Sequence, residues 1–238
     1  MRDAINKNSL HDPRINYRGI NASRVDNLTD AVFGIAITLL IFNLTNPNSF
    51  SDLIGFTKTL PGFLISISFL ILFWNEHRRF SEIYSLRQTS LLMLNTLFIA
   101  LVIFYVYPLR FLMLFLSMAF FRMDLGLSIT DEQVPQLMIY YGFVAFALYF
   151  ILFLFYRKAY QLRSELSLNE FELFYTRSQK IKLAILFSVP LISIVLTAIF
   201  SGYSIALASG LGGISYALYM PSMMLWQRWY SKAEKKFK

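Results

Sequence analysis

The stretch that decides the fold is RVDNLTDAVFGIAITLLIFNL, from Arg24 to Leu44. It sets a short polar cluster directly against a long apolar run; the cluster consists of Arg24, Asp26, Thr29 and Asp30. A helix needs about 20 residues to cross the hydrocarbon of a bilayer, and Val25–Leu44 is the only window here with that length. The ionisable groups must therefore lie at the membrane edge of this helix or inside it, where such groups are costly and usually functional.

The composition of the whole chain is that of an integral membrane protein. Its 238 residues are 56% hydrophobic and include 24 Phe and 14 Tyr, with a mean hydropathy of +0.52, which is unusual for a soluble domain of this size. The absence of Cys excludes disulfides and thiolate metal sites. The first 24 residues are polar and basic without an apolar core, so we expect no cleaved signal peptide.

Six apolar spans predict an all-α integral membrane fold with six transmembrane helices in each chain. The predicted spans are Val25–Leu44, Leu53–Trp74, Leu91–Phe115, Leu137–Phe155, Leu183–Phe200 and Tyr203–Trp226. In this scheme, residues 1–24 are an N-terminal segment, residues 25–226 are the membrane domain, and residues 227–238 are a basic C-terminal tail. The stretch SELSLNEFELFYTR, between the fourth and fifth spans, is expected to form a short interfacial helix.

The basic residues indicate how the spans are oriented. The N-terminal segment carries five Lys and Arg, the loop after the second span three, the loop after the fourth span six and the C-terminus five, so that 19 of 22 lie on one side. The positive-inside rule assigns this side to the cytoplasm. We therefore expect a multi-pass protein with both termini cytoplasmic, and this distribution explains the net charge of +8 better than nucleic acid binding does.

The sequence lacks the motifs that carry catalysis. Its two histidines, His11 and His77, are far apart and have no metal-ligand spacing, and there is no Walker A loop, G-x-S-x-G elbow or H-E-x-x-H motif. The small residues of Ser209–Gly213 fall inside the last predicted span and suit close helix packing. We expect no enzyme and no cofactor. The filter sequence T-V-G-Y-G is also absent, so an ion path would need something other than a ring of filter carbonyls.

A helical wheel at about 100° per residue separates two faces of the first span. Asp30 lies roughly 140° from Ile35 on this wheel, toward the rest of the bundle. The apolar face carries one hydroxyl and consists of Leu28, Ile35, Thr38, Leu39 and Phe42. This face either packs against neighbouring helices or lines a pore in an oligomer with Asp30 anchored behind it, and periodicity alone leaves both interpretations open.

The second span ends in FWNEHRRF, at the same membrane depth as the start of the first span. Buried polar groups need hydrogen-bond partners at this depth. The polar residues of the first span therefore have candidate partners in Trp74, Asn75 and His77. The alternative is that Trp74 belongs to an interfacial aromatic belt and that His77 is solvated.

The motif Arg24-x-x-x-Leu28-Thr29-Asp30, followed by AVFGIAIT, resembles the R-x-x-x-F-S-D signature of the transmembrane protein 175 family of potassium channels. The W-x-x-H motif of the second span, formed by Trp74 and His77, also resembles that family. The six-helix plan with cytoplasmic termini does so as well. Two positions depart from the signature. Leu28 stands where the family has Phe, and Thr29 stands where it has Ser and keeps the hydroxyl.

The resemblance implies a prokaryotic, single-repeat channel that assembles as a homotetramer, with a central pore lined by the first helix. On this sequence the implied pore positions are Ile35, Thr38 and Phe42, with Ile35 forming an apolar constriction and K⁺ passing transiently near Thr38. The implied structural network that holds this helix consists of Arg24, Thr29, Asp30, Trp74 and His77.

Partial dehydration of ions at the Thr38 hydroxyls predicts a modest preference for potassium over sodium. The expected partners are three further copies of the chain, the lipid bilayer of a prokaryotic plasma membrane and potassium ions; no nucleic acid and no cofactor beyond the permeant ion is expected. The leading alternative is a proton-coupled cation transporter in which Asp30 and His77 relay protons. A purely structural membrane protein also stays open.

Overall fold

The computed structural model describes residues 12–21, 23–42, 48–85, 88–121 and 127–237, without the side chains of residues 41, 42, 119 and 120. Within these ranges the chain forms helices and connecting loops and no strand. The helices are α1 (Arg24–Phe42), α2 (Phe50–Thr57), α3 (Leu60–Tyr84), α4 (Thr89–Phe121), α5 (Val134–Gln161), α6 (Glu170–Phe200), α7 (Ile205–Ser215) and α8 (Tyr219–Glu234). Short 3₁₀ turns lie at Asp131–Gln133, Tyr216–Leu218 and Lys235–Phe237.

Four helical segments of the described chain are long and apolar enough to cross a membrane. They are Leu60–Tyr84, Thr89–Met118, Asp131–Gln161 and Glu170–Phe200. The described residues therefore confirm an all-helical fold with several helices able to cross a membrane. The predicted count of six spans is not settled by these four, because the 19-residue α1 and the final segment are not among them. The predicted first span ends at Leu44, which lies outside the described residues.

The second and last predicted spans differ from the helices that form. The helix is interrupted between α2, which ends at Thr57, and α3, which starts at Leu60 with Pro61 in its first turn. Helix α3 then continues well past Trp74 to Tyr84. It continues because its charged end is amphipathic and buries Phe80 and Ile83. The segment predicted as Tyr203–Trp226 is divided into α7 and α8 by a 3₁₀ turn. Pro221 in the first turn of α8 has no N–H to continue the hydrogen bonds of α7.

The expected interfacial helix between the fourth and fifth spans is wrong. Residues 162–167 form turns, and the rest of that stretch leads into α6, which starts at Glu170 rather than at Leu183. Asn169 caps this start: its side chain accepts a hydrogen bond from the Glu172 N–H, and the Glu172 carboxylate accepts one from the Asn169 N–H. This capping box satisfies two backbone donors at the helix end and favours the earlier start.

The described helices enclose an aromatic core. Phe80 of α3 has ring neighbours at 4.9–5.1 Å in Tyr84, Phe155 and Tyr156. α1 packs on α3 and α4, whereas α6 packs on α5, α7 and α8. The close packing expected around Ser209–Gly213 is made by Gly212, where a Cβ would collide with the hydroxyl of a threonine on α6. Small residues allow such close approach between membrane helices.

The segments predicted to lie on one side of the membrane meet at one end of the molecule. Arg18 of the N-terminal segment forms an ion pair with Glu172 at the start of α6, with an Nη1–Oε1 distance of 2.8 Å. Gln88, which precedes α4, donates to Glu165 between α5 and α6 at 2.7 Å. The connections on the predicted cytoplasmic side therefore share one end, whereas the identity of that compartment stays a prediction.

The C-terminus joins the same end through Arg14. Its guanidinium contacts the Glu234 carboxylate of α8 at 2.6 Å and lies 3.8 Å from the ring centroid of Phe171. Arg14 also donates to Asp12, and this hydrogen bond lowers the pKa of the Asp12 carboxyl. Helix α8 continues past the predicted domain boundary at residue 226 to Glu234, so the segment assigned to a tail is partly helical and is packed against the N-terminal segment.

Candidate functional site

Helix α1 has one face packed against the molecule and one face exposed. The buried face packs on α3 and α4 and consists of Val32, Phe33, Ala36 and Leu40. The exposed face consists of Leu28, Ala31, Gly34, Ile35 and Thr38. An apolar helix face that a single chain leaves uncovered needs lipid, another chain or a functional reason to be there.

The candidate pore residues occupy this exposed face as far as the structure describes them. The Ile35 side chain is 56% exposed. The Thr38 hydroxyl donates to the Gly34 carbonyl, one turn earlier, at 2.9 Å, so its proton is engaged while the oxygen lone pairs point outward as acceptors. Leu39 is partly buried against the core. The Phe42 side chain lies outside the described residues.

Asp30 anchors the other side of α1 to α3. Its carboxylate accepts a hydrogen bond from the Trp74 indole Nε1 at 2.7 Å. The guanidinium of Arg78 lies over the Trp74 ring, 5.3 Å from its centroid. The charge of Asp30 is therefore directed at α3, away from the face that carries Ile35.

Thr29 and His77 are joined through a third residue, Asn95 of α4. Asn95 Nδ2 donates to the Thr29 hydroxyl at 3.0 Å, and Asn95 Oδ1 lies 2.7 Å from His77 Nε2. A carbonyl oxygen only accepts, so His77 carries its hydrogen on Nε2 in this arrangement. All three side chains are buried, and the imidazole stacks on Phe98 at 5.1 Å. Three helices thus share one chain of hydrogen bonds.

Sequence reasoning missed Asn95, although a signal for it was present. It is a single amide in the apolar run LLMLNTLFIALV, and a lone polar side chain at membrane depth usually has a partner on a neighbouring helix. It also missed the role of Asp26. The Asp26 carboxylate accepts from the Ser23 N–H and the Ser23 hydroxyl accepts from the Asp26 N–H, which caps α1. Ser81 of α3 donates to the same carboxylate.

Arg24 and Asn75 are placed outside this group of contacts. Both side chains are exposed. Among the described residues, neither takes part in the hydrogen bonds that join α1, α3 and α4. A cavity of about 290 Å³ adjoins the network and is lined by Asp26, Asp30 and His77, among others.

A second polar cluster lies on another face of α3, toward α6. Lys182 of α6 contacts the Glu76 carboxylate at 2.6 Å, and Lys182 is 8% exposed. Four buried polar atoms of this cluster have no hydrogen-bond partner in the part of the chain that is described: Glu76 Oε2, Tyr156 OH, Tyr175 OH and Gln179 Oε1. Nothing in the sequence pattern pointed to this cluster, because its members are separated along the chain.

Comparisons with known proteins agree with one another. A family model described as endosomal/lysosomal potassium channel TMEM175 matches residues 24–105. A Marivirga tractuosa protein named potassium channel is 34% identical over 234 residues, which cover 94% of each chain. The crystal structure of the potassium channel MtTMEM175 T38A variant, in complex with a nanobody–MBP fusion protein, superposes with a TM-score of 0.84 at 34% identity and covers 93% of this chain and 99% of that one.

Proposed function

Because this chain belongs to the TMEM175 family of potassium channels, we propose that it conducts K⁺ through a pore lined by α1 from four identical chains. The pore is closed at rest by an apolar constriction at Ile35 and favours potassium modestly over sodium. The chain lies in a prokaryotic plasma membrane with both termini in the cytoplasm.

The observation that carries this proposal is the division of α1 into two faces. The face with Ile35 and Thr38 is exposed in a single chain, whereas the opposite face is packed on α3 and α4. Four copies arranged around an axis would bring these exposed faces together. Each face would then be covered by the neighbouring chains. The exposed glycine of this face, Gly34, has nothing within 4 Å of a Cβ position and leaves room for a neighbouring helix.

Ile35 suits a gate because a ring of branched apolar side chains excludes water. A hydrophobic constriction of this kind blocks ions by dewetting, without any charged barrier. Thr38, one turn away, suits an ion contact because its oxygen lone pairs remain available while its proton is held by the Gly34 carbonyl. Four hydroxyl oxygens replace only part of a hydration shell, which favours the ion that gives up water more readily, potassium.

The hydrogen bonds behind α1 suit a scaffold. The Asp30 carboxylate is engaged by Trp74 and the Thr29 hydroxyl by Asn95. These contacts fix the rotation of α1 about its axis and hence the direction of Ile35. The same geometry speaks against the alternative, a proton-coupled cation transporter: His77 bonds to Asn95, Asp30 bonds to Trp74, and no hydrogen bond joins His77 to Asp30 among the described residues.

Potassium flux into liposomes containing the purified protein tests the gate. We expect Ile35→Ala to raise basal flux several-fold. The matched control is Ile37→Ala, the same change on a partly buried residue of the same helix, which should leave basal flux near that of the unmodified protein. Equal flux from both variants would contradict a constriction at Ile35.

Reversal potentials in mixed potassium and sodium test the ion contact. We expect Thr38→Ala to reduce the preference for potassium while conduction persists. Thr96→Ala on α4 is the control, because Thr96 is also exposed and its hydroxyl makes the same backward hydrogen bond, to Leu92 O at 3.0 Å. Unchanged reversal potentials for Thr38→Ala would rule out a selective role.

The mass of the solubilised particle tests the assembly. Light scattering on the purified protein should give four times the chain mass of 27.7 kDa after correction for detergent. We expect Asp30→Asn to lower the yield of this species more than it alters permeation, because the amide is a weaker acceptor for the Trp74 N–H. A normal yield with altered selectivity would instead indicate an ion site at Asp30.

A further inference from the structure

Three cationic side chains converge on one tyrosine ring where α5 leads into α6. The guanidinium carbons of Arg163 and Arg177 lie 5.3 and 5.5 Å from the Tyr160 ring centroid, and the Lys180 nitrogen lies 4.7 Å from it. Arg177 Nε also donates to the Tyr160 hydroxyl at 3.2 Å. We call these four residues the basic cluster. The negative faces of the ring attract each cation and hold the three together.

The charges of the basic cluster are not neutralised within the described chain. None of its three cations takes part in an ion pair between described residues. Their charges lie within roughly one Debye length of one another and therefore repel. Arg163 and Arg177 are exposed, so an anion can reach them. Binding of an anion would remove this repulsion and satisfy several guanidinium and ammonium donors at once.

An apolar groove adjoins the basic cluster on α6. A cavity of about 530 Å³ is lined by Ile181, Ile185, Ser222, Leu225, Trp226 and Trp229. Ile181 follows Arg177 by four residues and therefore lies on the same face of α6, one turn along. Ile181 is 44% exposed and Leu225 is 66% exposed, so the groove opens to the surroundings rather than into the core.

The level of the groove in the membrane follows from its tryptophans. Trp226 Nε1 donates to the carbonyl of Ser178, the residue directly after Arg177. Tryptophans with one polar contact and an apolar body concentrate at the membrane–water boundary. The basic cluster therefore lies at headgroup level, and the groove extends from it along the apolar part of α6 toward the hydrocarbon. Helix α6 packs on α5, α7 and α8, whereas α1 packs on α3 and α4, so the groove is separate from the proposed pore.

We propose that the basic cluster and this groove together bind one anionic phospholipid. Its phosphate lies among Arg163, Arg177 and Lys180, and one acyl chain lies along the groove. A phospholipid fits better than a free phosphate because the cations and the apolar surface are next to each other along α6, where Lys180 directly precedes Ile181 of the groove. Lys and Arg next to the ends of membrane helices attract anionic lipids, and each such residue raises the affinity about fivefold.

Tryptophan fluorescence reports on this site, since two of the chain's three tryptophans, Trp226 and Trp229, line the groove. The third, Trp74, is present in every variant, so differences between the variants report on the groove. The full-length protein is placed in phosphatidylcholine vesicles that contain the same mole fraction of chain-brominated phosphatidylglycerol or chain-brominated phosphatidylcholine. We expect stronger quenching by the anionic lipid. Replacing Arg163, Arg177 and Lys180 together with Gln should reduce the apparent affinity for it by at least tenfold and abolish the difference between the lipids.

The matched control replaces Lys232, Lys235 and Lys236 with Gln, which removes the same charge from exposed positions near the C-terminus. This control should keep the preference for phosphatidylglycerol. An equal loss of affinity for phosphatidylglycerol in both triple variants would overturn the proposal in favour of general charge attraction. Equal quenching by both lipids in the unmodified protein would overturn it outright. Displacement of the lipid by inorganic phosphate at low millimolar concentration would reassign the cluster to a free anion. Circular dichroism verifies that the variants are folded.

Discussion

The two polar clusters of α3, one toward α1 and one toward α6, differ in how completely their hydrogen bonds are satisfied. Toward α1, Trp74 bonds to Asp30 and His77 bonds to Asn95. Toward α6, a single ion pair between Glu76 and Lys182 stands among four buried polar atoms without partners in the described chain. A fully paired network specifies one arrangement of its helices, whereas a partly paired one leaves polar groups that cost free energy to bury. The first cluster therefore fixes the position of α1 against α3 and α4. The second joins α3 to α6 but loses free energy of folding through its unpaired polar groups.

The strongest way to break the second cluster is to remove its cation. Lys182→Met leaves the Glu76 carboxylate poorly solvated without its partner, and we expect the free energy of unfolding to fall by about 3 kcal/mol. Reversible unfolding in sodium dodecyl sulfate measures this loss. The double variant Glu76→Gln with Lys182→Met should recover most of it, because no unpaired charge then remains.

The control for this prediction is an exposed ion pair on the same helix. Arg78 and Glu82 are four residues apart, and the Arg78 side chain is 52% exposed. Arg78→Ala should lower the free energy of unfolding by about 1 kcal/mol or less, because solvent screens both the ion pair and the exposed contact of Arg78 with the Trp74 ring. A similar loss for Lys182→Met and Arg78→Ala would show that the Glu76–Lys182 pair is as well solvated as a surface pair.

The first cluster is broken at Asn95, its central residue. Asn95→Leu removes the acceptor for His77 and the donor to Thr29, and it leaves a buried imidazole N–H unpaired. We expect a loss of about 2 kcal/mol in the free energy of unfolding. The exposed neighbour Thr96 provides the control, since Thr96→Ala should change stability by no more than about 0.5 kcal/mol. Equal effects at the two positions would mean that the network does not stabilise the fold.

The difference between the clusters also explains what could be predicted from the sequence. The prediction of a network of Arg24, Thr29, Asp30, Trp74 and His77 rested on their shared membrane depth, which charge and apolar length indicate. The structure brings the last four together and leaves Arg24 outside. Their partner Asn95 was missed because depth does not say which helix lies beside which. Glu76 was passed over because its partner stands more than a hundred residues away, and pairing at that distance depends on the packing of α3 on α6.

Helix boundaries show the same limit. The start of α1 followed from its sequence, and the Ser23–Asp26 cap accounts for it. The extension of α3 to Tyr84 and the early start of α6 at Glu170 were not foreseen. Both extensions are more polar than the apolar spans and contact each other or the N-terminal segment, as Tyr84 contacts Thr176 and Glu172 contacts Arg18, so hydropathy alone ends them too soon.

A smaller effect is expected from the hydrogen bond that joins α1 to α3. Trp74→Phe keeps the aromatic bulk and removes only the indole N–H that donates to Asp30. Because Asp30 is exposed, solvent replaces part of the lost bond, and we expect about 1 kcal/mol or less in the free energy of unfolding. If the rotation of α1 depends on this bond, potassium flux in liposomes should change more than stability does. Unchanged flux would assign Trp74 to packing alone.

The smallest effect, and the sharpest test of the comparison, concerns two buried tyrosines that touch each other. The ring centroids of Tyr84 and Tyr156 are 5.8 Å apart. The Tyr84 hydroxyl lies 2.6 Å from that of Thr176, whereas the Tyr156 hydroxyl has no partner in the described chain. Tyr84→Phe should lower the free energy of unfolding by about 1 kcal/mol, since the hydrogen bond between the Tyr84 and Thr176 hydroxyls is lost. Tyr156→Phe should change stability by no more than about 0.5 kcal/mol, or increase it, because it removes a group that is buried without compensation. A larger loss for Tyr156→Phe than for Tyr84→Phe would mean that water satisfies the second cluster, and the contrast between the two faces of α3 would then disappear.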